Sequence, residues 1–315
     1  MKVTSKMPKN QFPISYKKVS IVIPAYNEEK AISLDIDDIK ETMNKTDYEY
    51  EIIVVDDGST DNTFKIAKEK GTRVFQHRKN RGGGAARETG IKNAKYDIIV
   101  ITDADRTYPV KDIPKLLEFI PEYDMVVGAR IKEAGTLPLL RRPTKWFIRK
   151  LACFITGEEI PDLNSGLRAF KKKIVMKFFN LLPTGHSWVS TITLAFLSND
   201  YSVKYIPIDY YKRKGSSSFH PIRDTWAYMT LVVRTIMFFN PIKFFFPITM
   251  IILVFGLTKF IYDWRILHDV KESDIMIIMV GFVVGAIGVL GDLIVKEHKY
   301  QYWDIESEEV KEDKE

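Results

Sequence analysis

Two acidic residues at the end of an apolar run carry the clearest chemical signal in this chain. Asp97-Ile98-Ile99-Val100-Ile101-Thr102 reads as a buried strand, and Asp103-Ala104-Asp105 follows at its carboxyl end. Open α/β sheets bind ligands at that edge, so both carboxylates are expected in a cleft. Carboxylates so close repel each other unless positive charge lies between them. A hard divalent cation such as Mg²⁺ meets that need with oxygen ligands, its other positions filled by water and substrate phosphates. The plainer reading is a turn after a strand, with Asp105 capping the next helix; for a lone Asp-x-Asp that reading usually prevails. Here other motifs lie around it in a consistent order, and they favour the metal.

Pro24-Ala25-Tyr26-Asn27-Glu28 ends an earlier strand, so its ring and carboxylate can border a nucleotide base. Taken alone, an ordinary strand-to-helix turn accounts for it equally well. Asp56 and Asp57, in Asp56-Asp57-Gly58-Ser59, can accept hydrogen bonds from base or ribose donors. The run Gly82-Gly83-Gly84 lets the backbone approach a phosphate at a helix N-terminus. It does not follow the first strand with G-x-G-x-x-G spacing, which argues against a dinucleotide site.

The elements that must position these residues alternate. Strands are expected at Lys18–Ile23, Glu51–Val55, Arg73–Gln76, Asp97–Ile101, Asp124–Val127 and Tyr201–Ile208. Helices are expected over Ala31–Asn44, after Asp61 to near Gly71, from the glycine run through Asn93, over Ile113–Ile120, and over Ser190–Leu197. In the first of these, Ile32, Ile36, Ile39 and Met43 share one face. Strands alternating with helices give parallel βαβ units and one doubly wound, mostly parallel sheet with helices on both faces. Both diacid turns then open on the same sheet edge. The stretch from Gly135 to Asn199 is harder to read, apart from an amphipathic, basic-flanked helix at Trp146–Phe154.

With 315 residues the chain can bury a large core, and its net charge of +6 comes from basic clusters late in the sequence, near apolar segments. Arg141, Arg142, Lys145, Arg149 and Lys150 form one cluster, Lys171 to Lys173 a second, and Lys212 to Lys214 a third. Beside membrane segments such clusters meet anionic headgroups or phosphorylated ligands; without a recognition motif, nucleic acid is not an expected partner. Cys153 is the only cysteine, which excludes an internal disulfide and a thiolate metal site. Residues 1–18 are basic and polar, without the apolar core of a signal peptide.

Residues 221–243 are helical in pattern, apolar and aromatic, with Arg223 and Arg234, as suits a helix lying in a membrane interface. Within 244–295, Phe244–Tyr262 and Ile275–Val295 are each about long enough to cross a bilayer. Lys259 and Asp292 lie near enough to the ends to snorkel. Arg234 and Lys243 precede this hairpin, Lys296 and Lys299 follow it, and the link Asp263–Ser273 is more acidic than basic. The positive-inside tendency then places the main domain and both termini in the cytoplasm. Gly281, Gly285, Gly288 and Gly291 offer a face for close helix approach, by the first span or by another copy in a homo-oligomer. Residues 296–315 form an acidic C-terminal tail, whose stretch Asp304–Glu315 is expected to be solvated.

Six motifs in order resemble the family 2 glycosyltransferases of GT-A fold, and within them the polyprenyl-phosphate sugar synthases. They are Pro24-Ala25-Tyr26-Asn27-Glu28, Asp56-Asp57-Gly58-Ser59-Thr60-Asp61-Asn62-Thr63, Asp103-Ala104-Asp105, Gly128-Ala129-Arg130, Asp162-Leu163-Asn164-Ser165-Gly166-Leu167-Arg168 and Arg213-Lys214-Gly215-Ser216-Ser217. The resemblance covers residues 19–220 and, more loosely, the hairpin. It implies a nucleotide-sugar donor held by Pro24, Tyr26, Glu28, Val55, Asp56, Asp57, Asp103, Ala104 and Arg213. It implies Mg²⁺ or Mn²⁺ on Asp103 and Asp105 with Thr107 beside them, and a polyprenyl (dolichyl-type) phosphate acceptor met by Arg130, Arg141, Arg142 and Ser217. Asp105, Arg130 and Arg213 are the catalytic residues it implies. Relatives that make mannosyl phospholipids tend to carry Gln where this chain has Thr107, and Lys where it has Phe219 and His220, so the sugar stays open. A processive polysaccharide synthase is a rival reading, but its Gln-x-x-Arg-Trp segment is absent. A non-catalytic scaffold that binds nucleotide-sugars is another, against which the intact Asp103, Asp105 and Arg213 weigh.

Overall fold

The computed structural model describes residues 14–131, 149–150, 152–154, 156–185, 187–211, 237 and 240–312. The chain divides into two compact units, Met1–Tyr228 and Met229–Glu315.

In the first unit, apolar, mostly β-branched runs become the central strands, and more exposed strands flank them. These are β1 (Lys18–Ala25), β2 (Glu49–Asp56), β3 (Arg73–Gln76), β4 (Ile98–Ile101), β5 (Met125–Arg130), β6 (Arg168–Lys171) and β7 (Val203–Ile208). Val19, Ile21, Val22 and Ile23 are fully buried, as are Ile99, Val100 and Ile101, the pattern of a sheet covered on both sides. The helices are α1 (Ile32–Met43), α2 (Thr63–Glu69), α3 (Gly83–Lys92), α4 (Ile113–Leu117), α5 (Lys172–Lys177) and α6 (Trp188–Ser198). Ile32, Ile36, Ile39 and Met43 of α1 enter the core with Ile21, Ile23 and Val54. Helix α3 lies against the opposite side chains: a Cβ on Gly90 would come within 2.3 Å of Val22 Cγ1.

The sheet order is β3-β2-β1-β4-β6-β5-β7. All pairings are parallel except those of β6, which runs antiparallel between β4 and β5. The chain leaves β1 for β2 on one side and later returns to β4 on the other. The crevice at the carboxyl ends of β1 and β4 is therefore the topological switch point, where open α/β sheets bind ligands. The mostly parallel sheet matches the expectation; β6 does not appear in it. Because β6 is antiparallel, the loop leading into it arrives at that same edge.

The second unit is a helical hairpin. Helix α7 (Pro241–Tyr262) continues as a π-helical turn (Asp263–Leu267), and α8 runs from Glu272 to Glu312. The link between the helices is thus shorter than Asp263–Ser273, and α8 runs on into the acidic stretch as far as Glu312. The segments Pro241–Leu267 and Glu272–Glu297, with mean hydropathy 2.1 and 2.4, are long and apolar enough to cross a membrane. The glycine face of α8 packs on α7: Cβ atoms would meet Leu253 at Gly281, Thr249 at Gly285, Phe245 at Gly288 and Pro241 at Gly291. Near the turn, Lys259 binds Asp263 at 2.8 Å and also pairs with Asp274. Asp292 pairs with Lys296 at 2.8 Å.

Candidate active site

The turns ending β1 and β2 are stapled together. Asp57 N–H donates to the Ala25 carbonyl at 2.8 Å, Asn27 N–H to Ser59 Oγ at 2.9 Å, and Glu28 N–H to Thr63 Oγ1 at 2.9 Å. Tyr26 stands 44% exposed at this rim, with Pro24 and Glu28 half-buried beside it. Val55 and Ala104 are buried, so only their backbones can reach a ligand. Asp56 is fully buried and accepts from Ser59 N–H at 3.2 Å and Gln76 Nε2 at 2.8 Å. The Asp57 carboxylate binds His77 Nδ1 at 2.6 Å and accepts the N–H groups of Arg81 at 2.9 Å and Gly82 at 2.7 Å. The second strand's diacid therefore fixes the 77–82 loop at the carboxyl end of β2. Gly82 is needed there: its φ is +96°, and a Cβ would lie 2.5 Å from the Thr184 carbonyl oxygen.

Asp103 and Asp105 leave β4 at the switch point. Asp103 Oδ1 accepts from Arg87 Nη2 at 2.7 Å, and 30% of its side chain stays open to solvent. Asp105, 8% exposed, accepts from Thr107 N–H at 3.1 Å and from Thr107 Oγ1 at 2.5 Å. It closes a turn on Thr107 and does not cap a helix. The Thr107 side chain is bonded to Asp105 and also to the Tyr210 hydroxyl. Between Asp105 and Thr107, Arg106 is left-handed, with φ +61°. Helix α1 holds it so: Asp35 accepts its N–H at 3.2 Å and Asp38 its guanidinium at 2.8 Å.

Beyond these, the 162–167 loop closes on the pair. Arg130 donates to Asp162 through Nε at 2.7 Å, Nη2 at 2.8 Å and its backbone N–H at 3.1 Å. Burial alone would raise the Asp162 carboxyl, but the hydrogen bonds and charge of Arg130 outweigh it and hold the group below its ordinary value. Tyr108 accepts Gly166 N–H at 2.6 Å and meets Tyr210 edge-on at 5.3 Å, while the Arg130 guanidinium lies 5.1 Å from the Tyr210 ring. Burial pushes both phenols upward. A Cβ on Gly166 would stand 2.5 Å from Asp103 Oδ2, so either the loop or the carboxylate would have to shift.

A model of glycosyl transferase family 2 matches residues 20–179. The chain belongs to that family. This glycosyltransferase is 34% identical over 222 residues to a dolichyl-phosphate hexose transferase of Haloferax volcanii, covering 70% of this chain and 94% of the relative. It is 35% identical over 181 residues to a UDP-N-acetylglucosamine–dolichyl-phosphate N-acetylglucosaminyltransferase of Methanococcus voltae, covering 50% and 70% respectively. Among solved structures it resembles glucosyl-3-phosphoglycerate synthase of Mycobacterium tuberculosis, determined with Mn²⁺, UDP and glucosyl-3-phosphoglycerate. That match has a TM-score of 0.53 and 22% identity, covering 70% of this chain and 78% of that one. At such identity the likeness speaks for the fold alone, and it agrees with a GT-A sheet.

The residues of the glycosyltransferase site suit a hard divalent cation. Asp103 and Asp105 offer only oxygen, and among the described residues no three His, Cys, Asp or Glu side chains converge into a closed cage. A carboxylate pair without further protein ligands is the donor set of Mg²⁺ or Mn²⁺ completed by water and phosphate oxygens. Arg141, Arg142, Arg213 and Ser217 lie outside the described residues, as does nearly all of the 221–243 segment. Reading the motifs along the sequence passes over Arg87, Arg106, Tyr108, Asp162 and Asp35 as site residues. Asp162 opens the Asp162–Arg168 motif and Tyr108 follows Asp105 by three residues, so the motif and local spacing do point to both. Arg87 and Asp35 join the site through helix packing, which no local spacing reveals.

Proposed function

We propose that this glycosyltransferase moves a sugar from a UDP- or GDP-linked donor to a polyprenyl phosphate of dolichyl type at the cytosolic membrane face, with inversion. The product is a lipid-phosphate-linked sugar that serves as donor for glycosylation. The observation that carries this reading is the 34% identity to the Haloferax dolichyl-phosphate hexose transferase across 94% of that protein. Two helices of membrane-crossing length on the same chain support a lipid acceptor. Basic residues flanking the hairpin and the acidic link support two spans with both termini cytoplasmic.

The donor's base lies at the rim formed by Pro24, Tyr26 and Glu28, and its diphosphate runs toward Asp103 and Asp105. Asp57 acts there by holding the Arg81 and Gly82 amides in place at the carboxyl end of β2. When bound to Asp103 and Asp105, Mg²⁺ or Mn²⁺ offsets the charge that grows on the departing diphosphate. Arg213 adds a further donor toward that leaving group. The acceptor phosphate, with a second pKa of about 6, is largely ionised at neutral pH and needs no strong general base. It needs to be held in line, which falls to Arg141, Arg142 and Ser217, with Arg130 at the edge of the sheet. Arg130 is already balanced by Asp162, so it orients the acceptor side of the site while keeping its own fork fixed. Attack from the face opposite the diphosphate inverts the anomeric carbon.

The test is transfer of label. Detergent-purified protein is incubated with Mg²⁺ or Mn²⁺, a polyprenyl phosphate and each radiolabelled nucleotide-sugar in turn, and the organic phase is counted. Transfer from one donor, abolished in Asp105→Ala, is the expected result. Nucleotide binding without transfer from any donor would sink it.

A further inference from the structure

One buried cation in this site is not accounted for by donor or acceptor. Arg87, on α3, is 9% exposed in its side chain and points at the Asp-x-Asp turn, where Nη2 binds Asp103 Oδ1 at 2.7 Å. Its guanidinium carbon lies 6.0 Å from the Trp188 ring of α6. Gly83, one turn earlier, leaves the slot: a Cβ there would come within 3.0 Å of Arg87 Nη1. Arg87 Nε is buried with no hydrogen-bond partner among the described residues. The guanidinium is thus confined by packing, and among the described residues its side-chain bond goes to the first carboxylate of the pair. A second buried cation, Arg168, adds positive charge nearby; its pKa falls to about 10, chiefly through burial, with the charge of Arg87 contributing.

We propose that Arg87 is the resident counter-cation of the Asp103–Asp105 pair, and that it makes divalent-metal uptake conditional on the arrival of the donor's diphosphate. The inference rests on the donor and metal reading given above. Arg87 neutralises Asp103 and keeps the two carboxylates from repelling each other in the absence of a ligand. A divalent ion arriving alone then meets a fixed positive charge at hydrogen-bond distance from one of its two carboxylate ligands. The diphosphate supplies the missing negative charge, so metal and nucleotide each raise the other's affinity by the same factor. Removing the charge at position 87 weakens that coupling by strengthening the binding of metal alone.

The experiment uses the full chain in detergent and reads binding directly. Mn²⁺ is titrated and followed by loss of the aqueous Mn²⁺ EPR signal; UDP and GDP binding are measured by calorimetry with and without Mn²⁺. Arg87→Gln should bind Mn²⁺ alone about tenfold more tightly than the parent protein, the size of a typical coupling between sites. The factor by which Mn²⁺ improves nucleotide binding should shrink in step. Arg87→Lys, which keeps the charge, should stay close to the parent. Arg87→Met preserves the stem against Trp188 and carries the same expectation if the Gln variant does not fold. A neutral variant that folds but binds Mn²⁺ no more tightly, or more weakly, overturns the proposal alone. If the parent takes up no Mn²⁺ with either nucleotide present, the metal reading falls with it.

Discussion

Asp35 shows how a single buried acid on a neighbouring helix bears on the Asp103–Asp105 turn. Burial first, with help from the charges of Asp105 and Asp38, raises its pKa to about 7, although the Arg106 N–H and guanidinium pull the other way. A carboxyl raised in the folded state favours its neutral form, so its contribution is complete below pH ~4 and is lost as pH rises through ~7. The stability of Asp35→Asn relative to the parent should therefore climb between those limits, by up to ~4 kcal/mol. Denaturant melts at pH 4, 6 and 8 check this; a difference that stays flat with pH would show that Asp35 is not held neutral. At this scale the sequence was legible where chemistry is local. Asp103 and Asp105 announce themselves by adjacency to an apolar strand. Arg87 and Asp35 do not, since a helix must first dock on the sheet before either side chain finds the turn.

Among the elements, β6 changes the site most and was least visible. Its four residues, Arg168 to Lys171, carry charge at both ends and too short an apolar core to read as a strand. Arg168 is nevertheless fully buried, because the carbonyls of Ser165 and Val189 and the Thr193 hydroxyl take its N–H groups. The longer parallel strands were readable because burial on both faces demands an unbroken β-branched run. The consequence of an antiparallel β6 is that Gly166 is delivered against Asp103. Gly166→Ala would place a Cβ 2.5 Å from Asp103 Oδ2 and 3.0 Å from Tyr108 Cε2, so the loop or the carboxylate must move. Misplacing a reacting group by about 1 Å costs on the order of 10²-fold in rate. The expected result is a loss of sugar transfer near that size, with the far-UV circular dichroism and thermal melt close to the parent's. Unchanged transfer would mean that this loop does not position Asp103.

For the molecule as a whole, the open matter is what the hairpin's glycine face is for. From the sequence it fits equally well a partner helix in the same chain or in a second copy, because small residues permit close approach without naming the neighbour. The structure assigns the face to α7. The side chains left outward, such as Ile251 at 69% exposed, Phe246 at 60% and Phe282 at 65%, are bulky and apolar, as lipid contact requires. This assignment can be tested by covalent capture. A Cβ built on Gly285 lies 4.0 Å from Thr249 Cβ, inside the range a disulfide needs. Cys153 is the only native cysteine, so Cys153→Ser gives a clean background. With Thr249→Cys and Gly285→Cys together, mild oxidation of the detergent-solubilised or membrane-embedded protein should give an internal bridge, and each single variant should give none. The product should run as a reducible monomer of altered mobility at every protein concentration. A disulfide-linked dimer that grows with concentration, in place of that monomer, would give the glycine face to a second copy and make the hairpin an oligomerisation element.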